Sequence, residues 1–214
     1  MQFPDSRILV FCKAPEPGKV KTRLARSVGD EMAAAVHVRM AEHVLQVATT
    51  SQIAPVELWC APSIHHPFFE SCHRRFKVTL REQGVGDLGE RMACAFEKSL
   101  SKSSSVIVIG TDCPVIDAAY LRAALKSLVC KGEAVIGPAQ DGGYVLIGLT
   151  KMQRNIFENI SWGTSTVFTE TLERLSGGCV VLPELWDVDD QQDLLRLYKE
   201  YPGLISEYER KETD

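Results

Sequence analysis

The chain has 214 residues, 45% of them apolar and 24% charged, and a formal net charge of −4. That length supports one domain with a buried core, and the composition is that of an ordinary globular protein. A net acidic chain with a pI near 5.8 is not built as a general nucleic-acid binder, so any anionic ligand must be held by a local cluster of cations.

Apolar, β-branched runs alternate with segments of helical spacing along the whole chain. Residues 8–12 read as a strand, and residues 30–48 as a helix with Met32, Val36, Met40, Val44 and Val47 on one face. A second strand is expected over 56–60, a short helix over 67–75, and a third strand over 77–80. A helix follows over 88–100, with Met92, Phe96 and Leu100 in register, and then a strand over 106–109. The second half reads as a helix over 118–129, strands over 134–136 and 144–147, a helix over 166–175, a strand over 179–182 and a last helix over 190–201. This alternation predicts a mainly parallel sheet with helices on both faces. A single domain over residues 1–206 and a polar tail over 207–214 are expected.

No apolar run approaches the ~18–20 residues of a membrane span. Residues 1–7 carry Pro4 and Asp5 and lead into an apolar stretch of only 8–11, which is not a secretory pattern. The seven cysteines form no CxxC pair, which suits reduced thiols in a cytoplasm. Cys60, His65, His66, Cys72 and His73 are zinc-ligand types, but their spacing matches no zinc motif, and a structural role is the preferred reading.

Four segments could carry chemistry. The first strand runs into Lys13-Ala-Pro-Glu-Pro-Gly-Lys-Val-Lys-Thr-Arg23, where Lys13, Lys19, Lys21 and Arg23 gather around a tight path set by Gly18 and two prolines. It is not a Walker A loop, but at a strand end it can present cations and backbone N–H groups to phosphates. The second segment, Gln83 to Met92, places Asp87 as a helix cap and Arg91 in the first helical turn, where a cation is disfavoured unless an anion answers it. Gln83 could read a base edge there. The third is the run Val106-Ile107-Val108-Ile109-Gly110-Thr111-Asp112-Cys113-Pro114, in which a doubly buried strand stops at a glycine and a carboxylate follows. Asp112 is either a turn or cap residue for the next helix, or a cation ligand beyond the strand end. The fourth is Trp186-Asp187-Val188-Asp189-Asp190. Asp187 and Asp189 share one face if extended, and Asp190 can cap the last helix. Carboxylates on separate loops can converge on Mg2+ or Mn2+. The turn Gln140-Asp141-Gly142-Gly143 adds a further strand-end carboxylate within a hairpin signal.

Taken together, FCKAPEPGKVKTRLA, QGVGDLGERM, VIVIGTDCP, GPAQDGGYVLIGL, WGTSTVF and DVDDQQDL closely resemble the glycosyltransferase-A-like family of selenodomain-associated transferases, within the nucleotide-diphospho-sugar transferase superfamily. The first and last of these also look like 2-phospho-lactate guanylyltransferase. The resemblance covers residues 11 to about 197. It implies a Rossmann-like glycosyltransferase-A fold, a mixed and mostly parallel sheet with one antiparallel strand. It also implies phosphate contacts by Lys13, Lys21 and Arg23, with Asp112 as the first metal ligand and Asp189, together with Asp187, as the second. Two departures stand out: Val115 replaces an acidic residue after GTDCP, and Asp190 replaces the threonine of DVDT.

The expectation is therefore an enzyme, a Mg2+- or Mn2+-dependent transferase that uses a nucleotide or nucleotide sugar and a small-molecule acceptor. Its site residues would be Lys13, Gly18, Lys21, Arg23, Gln83, Arg91, Asp112, Asp141, Asp187 and Asp189. Asp141 would serve as an acceptor-side base or orienting group, and Trp162, Gly163 and Thr164 would line the acceptor pocket. Glycosyl and nucleotidyl transfer need the same cations and carboxylates, so both stay open. A nucleotide-binding regulator without turnover is the alternative of another class.

Overall fold

The computed structural model describes residues 1–130 and 134–204. The expected tail at 207–214 lies outside them. In chain order the elements are β1 (Ser6–Lys13), α1 (Thr22–Val28), α2 (Asp30–Thr50), β2 (Val56–Ala61), α3 (Pro67–Phe76), β3 (Thr79–Glu82), α4 (Leu88–Leu100) and β4 (Ser105–Ile109). They continue with α5 (Ala118–Cys130), β5 (Ala134–Pro138), β6 (Tyr144–Leu149), a 3-10 turn at Arg154–Phe157, α6 (Val167–Arg174), β7 (Cys179–Val181) and α7 (Gln191–Glu200).

The strands form one sheet in the order β3-β2-β1-β4-β6-β5-β7. Strand β6 is antiparallel to both of its neighbours, β4 and β5, and the remaining pairs are parallel. This is the mixed, mostly parallel sheet with one antiparallel strand that the resemblance implies, and the reversed strand is β6.

Both faces of the central strands are buried, as their unbroken apolar runs require. Ile8 and Val10 of β1 and Ile107 and Ile109 of β4 pack under α2, α3 and α5. Leu9, Phe11, Val106 and Val108 pack on the opposite face with Met92 and Phe96 of α4. A third cluster joins Leu24, Val36 and Met40 to Trp186, Val188, Leu194 and Leu197, so the last helix closes against the first two. The chain winds outward from β1 through β2 to β3, then returns to place β4 on the other side of β1. The winding direction thus reverses between β1 and β4, where an open α/β sheet leaves a crevice beyond its strand ends.

Some boundaries differ from the sequence reading. The basic first loop contains a helix, α1, that has no side-chain cap at its start and buries only Leu24, so no periodicity marks it. The third strand lies at 79–82 rather than 77–80, because Lys77 turns left-handed (φ 58°) and closes α3. Among the described residues no helix is long and apolar enough to cross a membrane.

Candidate active site

A cleft of about 600 Å3 opens at the β1/β4 reversal. Its floor is made by the carboxyl ends of these strands, Cys12 and Lys13 from β1 and Gly110, Thr111 and Asp112 after β4. Lys19, Lys21 and Thr22 wall one side, and Tyr144, Trp162 and Gly163 another. Its volume falls in the range of small-molecule sites, about 300–1,000 Å3.

Asp112 is free to face this cleft because Asp117 caps α5 instead, its Oδ1 accepting from the Tyr120 N–H at 2.7 Å. Of the two readings left open for Asp112, the cap is thereby filled by another residue. The Lys21 ammonium lies 2.8 Å from Asp112 Oδ1 and is almost fully buried, its side chain 3% exposed, whereas Asp112 is half exposed. Lys21 also donates to the Val188 carbonyl at 2.7 Å and to Asp189 Oδ1 at 3.3 Å. An ammonium has three protons, so these partners use all of them. The backbone makes this reach possible: Gly18 (φ 76°) and Lys21 (φ 48°) both adopt left-handed conformations in the turn before α1. Burial alone would push the Asp112 carboxyl up, but Lys21 overcomes it and holds Asp112 below its ordinary range. Burial likewise opposes the Lys21 charge, and Asp112 and Asp189 outweigh it, raising the lysine.

The two DxD carboxylates part company. Asp189 binds Lys21 and Arg23 and is not on the cleft wall. Asp187 is on the wall. Burial and the neighbouring Asp112 push the Asp187 carboxyl up to about 7, against the pull of Lys21. Among the described residues no three His, Cys, Asp or Glu side chains are arranged to hold a metal ion. An all-protein metal cage is therefore absent there. Mg2+-type ions at nucleotide sites, however, take one or two carboxylates and complete their shell with phosphates and water. Asp112 and Asp187 fit that donor set, being wall carboxylates whose mutual repulsion burial leaves poorly balanced. Of the three expected carboxylates, Asp112 and Asp187 are on the wall and Asp189 is not.

The remaining expected residues divide between wall and scaffold. Lys13 is exposed on the cleft wall, and Lys19 lies there with a salt bridge to Glu16 at 2.5 Å. Arg23 bonds Asp189 and is not on the cleft wall. Gln83 is buried and lines the cleft. It donates to the carbonyls of Cys12 (3.3 Å) and Trp59 (2.8 Å) and accepts from Arg91 (2.9 Å). It therefore ties β1 and β2 to α4 from a place on the cleft wall, with both amide protons used. Arg91 remains on the wall, positioned by Gln83 and by the Asp87 carbonyl at 3.1 Å. Asp141 is off the wall. Its Oδ1 accepts from the Gly143 N–H at 2.8 Å, the hairpin-turn role, while Gly142 (φ 87°) packs so closely that a Cβ would meet the Ser165 carbonyl at 2.2 Å. Trp162 and Gly163 line the cleft, and Thr164 instead bonds the Ser161 carbonyl at 2.7 Å.

Both departures from the family pattern have structural explanations. Asp190 caps α7, accepting from Gln192 and Asp193 backbone N–H groups, work that a threonine hydroxyl also performs. Val115 packs against two apolar clusters and is not on the cleft wall. The cysteine–histidine group is structural as well. Burial pushes the Cys60 and Cys72 thiols up to about 12, His66 caps α3, and His73 donates to the Val78 carbonyl at 2.7 Å.

Sequence reasoning missed His37. It sits on the sheet-facing side of α2, where its spacing with Ala33, Ala41 and Val44 marks it as core. It nonetheless lines the cleft, with Nδ1 3.9 Å from Asp112 Oδ1. The only sequence signal was a histidine on an otherwise apolar helical face. Thr22 and Tyr144 are further polar wall residues that no motif argument singled out as site residues.

Among proteins with curated descriptions none matches this chain. It is 32% identical to a protein from Desulfovibrio desulfuricans G20, provisionally described as a nucleotide-diphospho-sugar transferase, whose crystal structure superposes with a TM-score of 0.84 over 96% of this chain and 98% of that one. Two more distant structures share the fold. One is 4-diphosphocytidyl-2C-methyl-D-erythritol synthase from Anaerococcus prevotii DSM 20548 (10% identity, TM-score 0.59, 92% and 99% of the two chains). The other is Rv0371C of Mycobacterium tuberculosis H37Rv in complex with manganese (13% identity, TM-score 0.56, 91% and 98%). A family model spans residues 44–164, and with this match the chain belongs to the family described as "Uncharacterized protein conserved in bacteria (DUF2064)".

Proposed function

We propose that this protein is a metal-dependent transferase acting on a nucleotide-activated donor, most simply a nucleotide-diphospho-sugar, with a small-molecule acceptor. The observation that carries the reading is the cleft at the β1/β4 reversal, where wall carboxylates Asp112 and Asp187 face Lys13, Lys19 and Arg91. A diphosphate group needs both kinds of neighbour: cations for its oxygens and carboxylates to share a divalent ion with it. The 32% identity to a nucleotide-diphospho-sugar transferase supports the same class. The motif resemblance to selenodomain-associated transferases and to 2-phospho-lactate guanylyltransferase supports it further.

In this reading Lys13, Lys19 and Arg91 bind the phosphates, and Lys21 holds Asp112 ionised and fixed in place. Asp112 and Asp187 hold Mg2+ or Mn2+, which when bound neutralises charge on the phosphate leaving group. Tyr144 and Trp162, whose rings meet edge to face at 6.4 Å, form the wall against which the acceptor lies. Nucleotidyl transfer is the second reading, supported by the fold shared with cytidylyltransferase structures. The products separate the two, since glycosyl transfer releases a nucleoside diphosphate and nucleotidyl transfer releases pyrophosphate.

Calorimetric titration with UDP- and GDP-sugars and with nucleoside triphosphates, with and without Mn2+, tests the proposal. Metal-dependent binding of one class is expected. Asp112→Asn should weaken that binding at least about ten-fold while the fold is kept. Absence of nucleotide binding in every combination overturns the reading.

A further inference from the structure

Gly110 follows β4 and has no conformational reason to be glycine. Its φ lies outside the left-handed region. Among the described residues an added Cβ would meet, apart from its chain neighbours, only the Asp112 backbone nitrogen, at 3.9 Å. Where neither a turn nor packing requires a glycine beside a strand, the remaining use of its missing side chain is room for a ligand. Alternation along β4 puts Gly110 on the face of Val106 and Val108. On either side of β4 stand β1 and β6, whose Phe11 and Tyr144 pack on that same face. Neighbouring strands are about 4.8 Å apart, so these two residues flank a slot about 10 Å wide between backbones, with no side chain at its centre. Both rings are held in place. Phe11 stacks on Trp59 with centroids 6.0 Å apart, and Tyr144 meets Trp162 edge to face. Val108, Ile147 and Met92 add apolar lining that also reaches the cleft.

We propose that Gly110 is a specificity-determining residue, and that the slot it opens takes a flat, apolar ring carried by the acceptor. Phe11, Met92, Val108 and Ile147 offer no side-chain N–H or O–H. The Tyr144 hydroxyl and the Trp162 N–H are themselves buried, so neither reaches the cleft surface. A polyhydroxylated sugar seated here would give up its water without replacement, which is costly. A flat ring loses nothing of that kind and gains contact with Phe11, Tyr144 and Trp162. Position selects the acceptor over the base of the donor. Gly110 stands two residues from Asp112, about 7 Å along an extended chain, and so beside the carboxylate assigned to the ion at the reacting phosphate. The acceptor must come to that centre, whereas a base is held away from it by its ribose and phosphates. The inference rests on the transferase reading above and names the chemistry of its acceptor.

The probe is benzyl alcohol, a flat ring that carries a nucleophilic hydroxyl, with glycerol as the ring-free control. Saturation-transfer NMR is run in the presence of Mg2+ and of UDP or GDP. The wild type should transfer saturation to the benzyl ring and not to glycerol. Gly110→Val should weaken benzyl alcohol binding about ten-fold, because its methyl groups fill the slot. Gly110→Ala should weaken it less, and it carries the test if the valine perturbs the fold, which circular dichroism melting of both variants reports. No benzyl signal in a wild type that binds the nucleotide, or an undiminished signal in the folded variants, overturns the proposal and leaves the transferase reading intact. A loss of UDP or GDP affinity as large as the loss of benzyl alcohol assigns the slot to the base and also overturns it. Absence of nucleotide binding in the wild type overturns the transferase reading as well.

Discussion

Asp187 shows how a single residue is set against stability. Its carboxyl is pushed from an ordinary 3.8 up to about 7, first by burial and then by Asp112. An acid raised in this way holds a proton that the unfolded chain has already lost, so stability falls as the pH climbs between those two values and levels off above them. Asp187→Asn should therefore raise the melting temperature of the ligand-free protein at about pH 8 by about 2–4 °C, the effect of ~1 kcal/mol in a chain of this size. The gain should shrink as the pH is lowered toward 4. An unchanged or lower melting temperature at about pH 8 would mean that the charge is already balanced. The place of Asp112 at the cleft was legible in the sequence because it follows a doubly buried strand end, although the helix-cap alternative was closed only by Asp117 taking that role. His37 was not, since periodicity reports which face of a helix a residue occupies and not what waits at the end of the sheet. Lys21 was found, but as a phosphate ligand. That its protons are taken by Asp112, Asp189 and Val188 depends on a pairing 168 residues away, which no local pattern encodes.

At the scale of elements, the caps follow local rules and were readable. Asp87 and Glu90 form the capping box that starts α4, with bonds of 2.8 and 2.9 Å between side chains and backbone N–H groups. Asp87→Ala should cost about 1 kcal/mol and lower the melting temperature by about 2–4 °C. Nucleotide affinity should stay unchanged, because Asp87 contacts Arg91 only through its backbone; a matching loss of affinity would show that the cap also positions the arginine. The direction of β6 was less legible. Its residues read as a strand, but strand direction depends on the length and course of the connection and not on composition. The Gly142-Gly143 turn is short enough to reverse the chain beside β5. That reversal brings the beginning of β6, at Tyr144 and Val145, to the cleft, where the parallel strands bring their ends.

For the whole molecule, one feature of the winding decides where a ligand goes. The strand order reverses at β1 and β4, and Lys13, Lys19, Lys21, Arg91, Asp112 and Asp187 line the cleft there. Mg2+ or Mn2+ together with the correct nucleotide should stabilise the entire fold through this point. At a ligand concentration near one hundred times Kd the gain is about 2.7 kcal/mol, or roughly 5–10 °C in melting temperature. Differential scanning fluorimetry checks this, and chelation should abolish the shift. Alternation of strand and helix made the sheet legible from the sequence, while the joining of its first and last motifs required three dimensions. That joining has a consequence in time. Lys21 leaves the ribosome well before Val188 and Asp189, which secure it from 167 and 168 residues further along. A nascent chain can close most of its sheet before this ammonium has its full set of partners, so the cleft wall at Lys21 is secured only after residues 188–189 have emerged.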